Sequence, residues 1–438
     1  MLSVGRIRRW VGVGIAVVLV HVASATGAAE LPAKTLAECI AIAEEQHPTL
    51  QAAGASLEAA HQRVRQAAAN YLPQVSANYA ADRRNTSAAA RTGTNLPAQS
   101  QTFNFYNTGA GFSQVLFDFG QTLAAIRAAQ ASEQSLQADR VTQRETVVLN
   151  VKQAYFDLLA ARRLLAVADE TVRQNQKQLE LAQGRFDVGM APKFDVTRAQ
   201  VQLATAELNQ ITARNNVAVA RETLRNALGL TTALDFDIVD VLDVQSVRIS
   251  EAGALEAAYA KRPELESLRA QQLATAEQIA GLQKDYLPTL TGNGSYNWSG
   301  TDYPLQSNWN IGASVNLTLF SGGLTAAQVG EAKANLAKLK FDEETVRQSV
   351  ALEVRQAVLN LQQAAESIRV AAKGVEQARE NLAIAEGRYT TGIGNIIELT
   401  DAQALLTSAE ASHVRALYDY QTSVAAVERA AAQPFAAE

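Results

Sequence analysis

Two carboxylates three residues apart, Glu398 and Asp401, are the strongest chemical feature of this chain. At the start of a helix that spacing sets both on one face, where they can attract or hold a cation. Acids in a first helical turn also simply oppose the helix dipole, and the residues alone leave both readings open. Nothing else assembles a reactive centre. Cys39 is the single cysteine, with only His47 as a nearby base, so neither an intramolecular disulfide nor an activated thiol is expected. The four histidines are scattered, which argues against a His/Cys metal cage. No His-Glu-x-x-His and no phosphate loop occurs, and Gly392-Ile393-Gly394-Asn395 follows a helical stretch rather than a strand, unlike a dinucleotide loop. No enzymatic activity, cofactor or metal is expected.

The elements that must position these residues come from an internal repeat. Tyr71-Leu72-Pro73 recurs as Tyr286-Leu287-Pro288, and Pro48 as Pro263, at an offset of 215. Val151-Lys152-Gln153-Ala154 matches Val354-Arg355-Gln356-Ala357 at an offset of 203. Gly184-Arg185-Phe186 with Gly189 matches Gly387-Arg388-Tyr389 with Gly392 at that same offset. The change of offset places an insertion in the first copy, in the polar stretch 83–101. The implied organisation is a first repeat at 30–228, a connector at 229–262 with short strands, a second repeat at 263–432 and a tail at 433–438.

Proline, which is excluded from helix interiors, is absent from 305–433 and occurs only at Pro192 between 98 and 262. From Gly323 to Arg388 the composition is that of a helix, about 100 Å long at 1.5 Å per residue. Its stripe Val346, Val350, Val354, Val358, Leu361, Ala365, Ile368, Ala372, Val375 has a mean spacing of about 3.6, the period of a straight helix. In the first copy Arg162 and Asp169 fall where Ala365 and Ala372 stand. Gly189 and Gly392 end the two long helices, and return helices follow at 194–228 and 396–432.

The opposite ends alternate with period two. Trp309, Ile311, Ala313, Val315, Leu317 and Leu319 share one face, and Asn310, Gly312, Ser314, Asn316 and Thr318 the other. A partner strand runs over 290–298, and the first copy supplies strands near 74–81 and 103–117. Trp298, Tyr303 and Trp309 gather around the loop at 299–307, as interfacial aromatics do in membrane barrels. A soluble sheet packed on helices would show the same alternation. If the strands cross a bilayer, four cannot close a barrel and an open edge is not tolerated in lipid, so several chains must share one.

Composition sets the remaining bounds. The 438 residues are 47% hydrophobic with a net charge of −5 and a mean hydropathy of −0.08, enough for a sizeable core and without a basic footprint for nucleic acid. Arg6, Arg8 and Arg9 precede an apolar run at 10–20 and then small residues, the pattern of a cleaved export signal over 1–29. The run is shorter than the roughly 20 residues of a membrane anchor. Removing three arginines and no acid takes the charge from −5 to −8.

The duplicated Pro-x-Leu and Tyr-Leu-Pro segments, Leu319-Phe320-Ser321-Gly322-Gly323, and the turn from Gly387 to Gly392 leading into Glu398-Leu399-Thr400-Asp401-Ala402-Gln403 together resemble the TolC-like outer membrane efflux proteins. The resemblance covers nearly all of the exported chain. It implies a mainly α fold with β: very long antiparallel helices forming an α-helical tunnel, and four transmembrane strands per protomer in a shared 12-stranded barrel of a homotrimer. It also implies a Gram-negative outer membrane location and contact with its lipid. The expected partners are a periplasmic adaptor and an inner-membrane pump of the resistance-nodulation-division, ABC or major facilitator type. Glu398 and Asp401 would line the periplasmic aperture. Tyr389 and Asp195 would hydrogen-bond to hold it closed, without the arginine that usually joins them, whose place is taken by Gly394. Val188, Gly189, Met190, Gly392 and Ile393 would form the adaptor-docking tips, although ordinary turn chemistry also accounts for them. Small-molecule export is the leading function. A duct for secreted proteins is the alternative within that class, and a periplasmic coiled-coil adaptor or scaffold the alternative outside it.

Overall fold

A computed structural model describes residues 32–86, 101–240 and 249–434; the expected export signal, most of the polar stretch 83–101, part of the expected connector and the end of the tail lie outside the described residues. The first half runs β1 (Ala33–Lys34), α1 (Leu36–Gln46), α2 (Pro48–Ala69), β2 (Gln74–Thr86), β3 (Gln101–Phe117), α3 (Gln121–Asp187) and α4 (Lys193–Ala227). After β4 (Asp237–Ile238) the order repeats as α5 (Glu251–Lys261), α6 (Pro263–Gln283), β5 (Thr289–Gly300), β6 (Gln306–Asn316), α7 (Leu324–Thr390) and α8 (Ile396–Ala431). Helix α5 lies within 229–262, which the sequence reading leaves as a connector. It stands to α6 as α1 stands to α2, because His47 and Arg262 each precede a proline and are held in extended backbone that breaks the helix.

Helices α3 and α7 have 67 residues each. The chain swings from strand to helix through left-handed Gly120 and Gly323, a conformation that glycine adopts without a steric penalty. Asp118 also fixes the first swing, its carboxylate accepting from the amides of Gly120 at 2.9 Å and Thr122 at 2.7 Å.

Along α7, Val350, Val354, Ala357, Val358, Leu361, Ala364 and Val375 are buried and Ile368 and Ala371 half-buried, on the side that packs against α5 and α8. Taken through Ala357, Ala364 and Ala371 the steps alternate four and three, the seven-residue repeat of a supercoiled helix pair, and Val358 of the expected stripe is buried beside them. Ala365 and Ala372 of the expected stripe are exposed. This accounts for Arg162 and Asp169 in the first copy: at those off-seam positions Arg162 bonds Asp237, and Asp169 accepts from Gln210 at 2.6 Å. A second core joins α1, the middle of α3, the end of α4 and the connector through Cys39, Val151, Tyr155, Leu158, Leu224 and Phe236. Tyr155 donates to the carbonyl of Val239 at 2.6 Å. Among the described residues no helix is long and apolar enough to cross a membrane.

The four long strands form one antiparallel sheet in the order β2-β3-β5-β6. Strand β6 stops at Asn316, short of the expected Leu319. Asn316 pairs with Thr289, and the preceding Pro288 has no N–H to continue the ladder.

Candidate functional site

The register sorts the sheet into two chemically distinct faces. Paired residues of an antiparallel ladder share a face, so Val75, Phe112, Gly294 and Ile311 form one row, and Ala77, Ala110, Tyr296 and Trp309 the next. Gly294 leaves room for the Phe112 ring, which lies 2.5 Å from where a β-carbon would stand. The opposite face carries Ser76, Gly111, Ser295 and Asn310, then Asn78, Gly109, Asn297 and Asn308. There Ser295 bonds Asn310, Asn297 donates to Ser295 at 2.8 Å, and Gly109 makes way for the Asn297 amide. An apolar face outside and a hydrogen-bonded Asn/Ser face inside match a barrel wall with a wet lumen. Strands β5 and β6, at 12 and 11 residues, have the length of tilted membrane strands. Trp298 and Trp309 lie on the apolar face. The ring contacts pair Tyr296 with Trp298 at 4.6 Å and Tyr303 with Tyr106 at 5.2 Å.

At the other end, both long helices finish in the same turn. Gly189 and Gly392 take φ of 73° and 79°, the amide of Met190 returns to the Arg185 carbonyl, and that of Ile393 to the Arg388 carbonyl. Val188, Met190 (69% exposed) and Ile393 (75% exposed) project from these turns. Their backbone groups are satisfied internally, so the apolar side chains are not required by the turns themselves.

Tyr389 and Asp195, predicted from different repeats, are brought together: the phenol of Tyr389 donates to Asp195 Oδ2 at 3.4 Å. Tyr389 is only 2% exposed, packed among Leu382, Ile396 and Leu399. Burial and then the Asp195 charge push its phenol upward, so it remains a donor throughout the neutral range. Glu398 and Asp401 share a face, but each meets a cation. Arg388 Nε lies 3.2 Å from Glu398, and an Arg198 terminal nitrogen 3.5 Å from Asp401. Arg198 and Asp401 are equivalent positions of the repeat, so this pair bridges the two copies where they face one another. Asn395 caps α8 by accepting from the Glu398 amide at 2.9 Å. In the sequence Arg388 stands out only through the repeated Gly-Arg-aromatic motif at 184–186 and 387–389, and Arg198 only as the first-repeat counterpart of Asp401; neither signal pairs them with the carboxylates. Gly394 has no room for a side chain, since a β-carbon would stand 2.9 Å from that of Arg388.

The outer membrane efflux protein model matches residues 39–230 and 254–433. The outer membrane protein TolC of Escherichia coli is 27% identical over 411 residues, covering 89% of this chain and 80% of that protein. The alkaline protease secretion protein AprF of Pseudomonas aeruginosa is 25% identical over 397 residues, covering 87% and 81%. The crystal structure of the Campylobacter jejuni CmeC outer membrane channel superposes with a TM-score of 0.81 at 19% identity, covering 91% of this chain and 86% of that one. With two-faced strands at one end, paired long helices below them, and the family model matching both repeats, this chain belongs to the outer membrane efflux protein family and is an outer-membrane channel, the exit duct of an efflux system.

Proposed function

We propose that three copies of this chain close one barrel and one tunnel, and that the tunnel receives small molecules from an inner-membrane pump through a periplasmic adaptor. The open sheet carries the proposal. Strands β2 and β6 are both edges, and every residue of β6 is exposed. An edge in lipid costs several kcal/mol for each unpaired group, and three four-stranded sheets joined edge to edge remove all of them. The helices support the same closure. Phe194, Val201 and Leu208 on α4, and Val370 and Ile384 on α7, are exposed apolar residues on the two flanking helices of the protomer. These flanks meet when copies are arranged in a ring.

In this assembly the turns at 188–190 and 392–393 are the adaptor-docking tips. Tyr389 with Asp195 forms the closing contact, and Glu398 with Asp401 lines the aperture. The pump is of the resistance-nodulation-division, ABC or major facilitator type, and sets the substrate. A duct for secreted proteins is the second reading, favoured by the similarity to AprF, a protease secretion protein.

Cysteine placed at Met190 or Ile393 tests the docking reading in intact cells. The native Cys39 is fully buried, with its thiol pushed up to about 11 by burial, so it does not compete for a crosslinker. Crosslinks from both tips to one periplasmic adaptor are expected. Labelling of the tips without any adaptor crosslink, in a strain carrying its neighbouring transport genes, would contradict the docking assignment.

A further inference from the structure

The repeat-equivalent arginines Arg185 and Arg388 occupy the same place in the same turn, yet they do different work. Arg388 stays within its own hairpin, on Glu398. Arg185 crosses from α3 to the other repeat. Its Nη1 donates to the main-chain carbonyl of Tyr389, and its guanidinium carbon lies 4.8 Å from the Tyr389 ring centroid. Its second terminal nitrogen lies 3.4 Å from where a β-carbon on Gly392 would stand. The Nε is buried without a hydrogen-bond partner, so the hydrogen bond that holds the group runs from Nη1 to Tyr389.

Tyr389 is therefore held twice by the first repeat: by Arg185 from the end of α3 at its carbonyl and ring, and by Asp195 from the start of α4 at its hydroxyl. The first contact puts a cation on a carbonyl of the last turn of α7, where the helix dipole favours positive charge, and over an aromatic face. Nothing equivalent can come from position 394, where the turn closes too tightly for a side chain.

We infer that Arg185 is a positioning residue that sets the closed state of the tunnel tip: the second hairpin cannot move away from the first without withdrawing the Tyr389 carbonyl and ring from its guanidinium. The inference rests on the reading of Tyr389 and Asp195 as the closing contact. It assigns to the end of α3 the cationic part of the lock, and makes the lock run between the two repeats of one protomer.

The test is the open-state occupancy of the purified full-length protein in planar bilayers, with heat dissociation of the oligomer in detergent as the control for assembly. Arg185→Ala is expected to raise the open-to-closed ratio about tenfold per protomer, as for loss of a hydrogen bond to a charged group at a partly exposed site, without moving the dissociation temperature. Arg185→Lys, which keeps a cation and one donor, is expected to recover most of the closure, whereas the neutral Arg185→Gln is not. If the alanine variant fails to assemble, the glutamine and lysine variants carry the same comparison. Wild-type occupancy in Arg185→Gln, while Tyr389→Phe with Asp195→Ala opens the channel, would overturn the inference and leave the closing contact standing. Wild-type occupancy in all of them would overturn both.

Discussion

Replacing Ile311 by arginine separates a barrel wall from a soluble sheet. Ile311 sits at the centre of β6, five residues from either end, 73% exposed in the isolated chain and in register with Gly294 on the apolar face. If that face meets lipid, an arginine at this depth costs about 2–4 kcal/mol in each protomer. Three copies in one barrel raise this to about 6–12 kcal/mol, comparable with the whole stability of an ordinary domain. Its neighbour Asn310 faces the other way. Asn310→Arg there loses the hydrogen bond with Ser295, about 1 kcal/mol, and places its charge in water. On a soluble sheet the order would differ, because an exposed isoleucine replaced by arginine changes stability by only about 0.5 kcal/mol. Assembled oligomer in outer-membrane fractions and the midpoint of urea unfolding in lipid vesicles measure the difference. The expected result is loss of assembly for Ile311→Arg with Asn310→Arg close to wild type. Equal behaviour of the two variants, or the reverse order, would refute the assignment of the faces.

Two further predictions concern the tip. Glu398→Ala with Asp401→Ala leaves Arg388 and Arg198 without their carboxylates, so cation selectivity should fall toward anion preference and block by trivalent cations should weaken, as read from reversal potentials across a salt gradient. Gly394→Arg would place an arginine beside the Tyr389–Asp195 hydrogen bond, yet it should loosen the tip, because its β-carbon meets Arg388 and the Tyr389 amide within about 3 Å. Overpacking of this kind costs about 1–3 kcal/mol, and a rise in open-state occupancy is the outcome to measure.

What was legible in the sequence was what local chemistry enforces. Proline marks where a helix cannot continue, so the absence of proline between 305 and 433 foretold α7, and Gly189 and Gly392 foretold its end and that of α3. Alternation along 306–316 foretold the two faces of β6. The tyrosine and aspartate that meet across 194 residues were named only through the family resemblance; no local signal joins Asp195 to Tyr389. The failures have equally local causes. Ala364 and Ala365 are indistinguishable by hydropathy, as are Ala371 and Ala372, so the expected stripe holds at Val350, Val354, Val358, Leu361 and Val375 but misses at Ala365 and Ala372, where the neighbouring alanine turns inward. The buried alternative has the repeat of a supercoiled pair. Helix α5 carries no repeated motif of its own; only the proline after it matches between copies. The end of β6 depended on a proline in its partner strand. Arg185, Arg198 and Arg388 look like solvated surface residues until the hairpins are brought together, and their partnerships are properties of the repeat in space.

The proposed duct is gated, with a lipid-facing barrel above a tunnel that the tip holds closed. Single-channel recording of the purified protein beside its Tyr389→Phe, Asp195→Ala double variant tests it most directly. A small, mostly closed conductance is expected for the wild type and a several-fold larger or longer-lived one for the variant. Absence of any conductance from membrane-inserted oligomer, or identical traces for the two proteins, would contradict it.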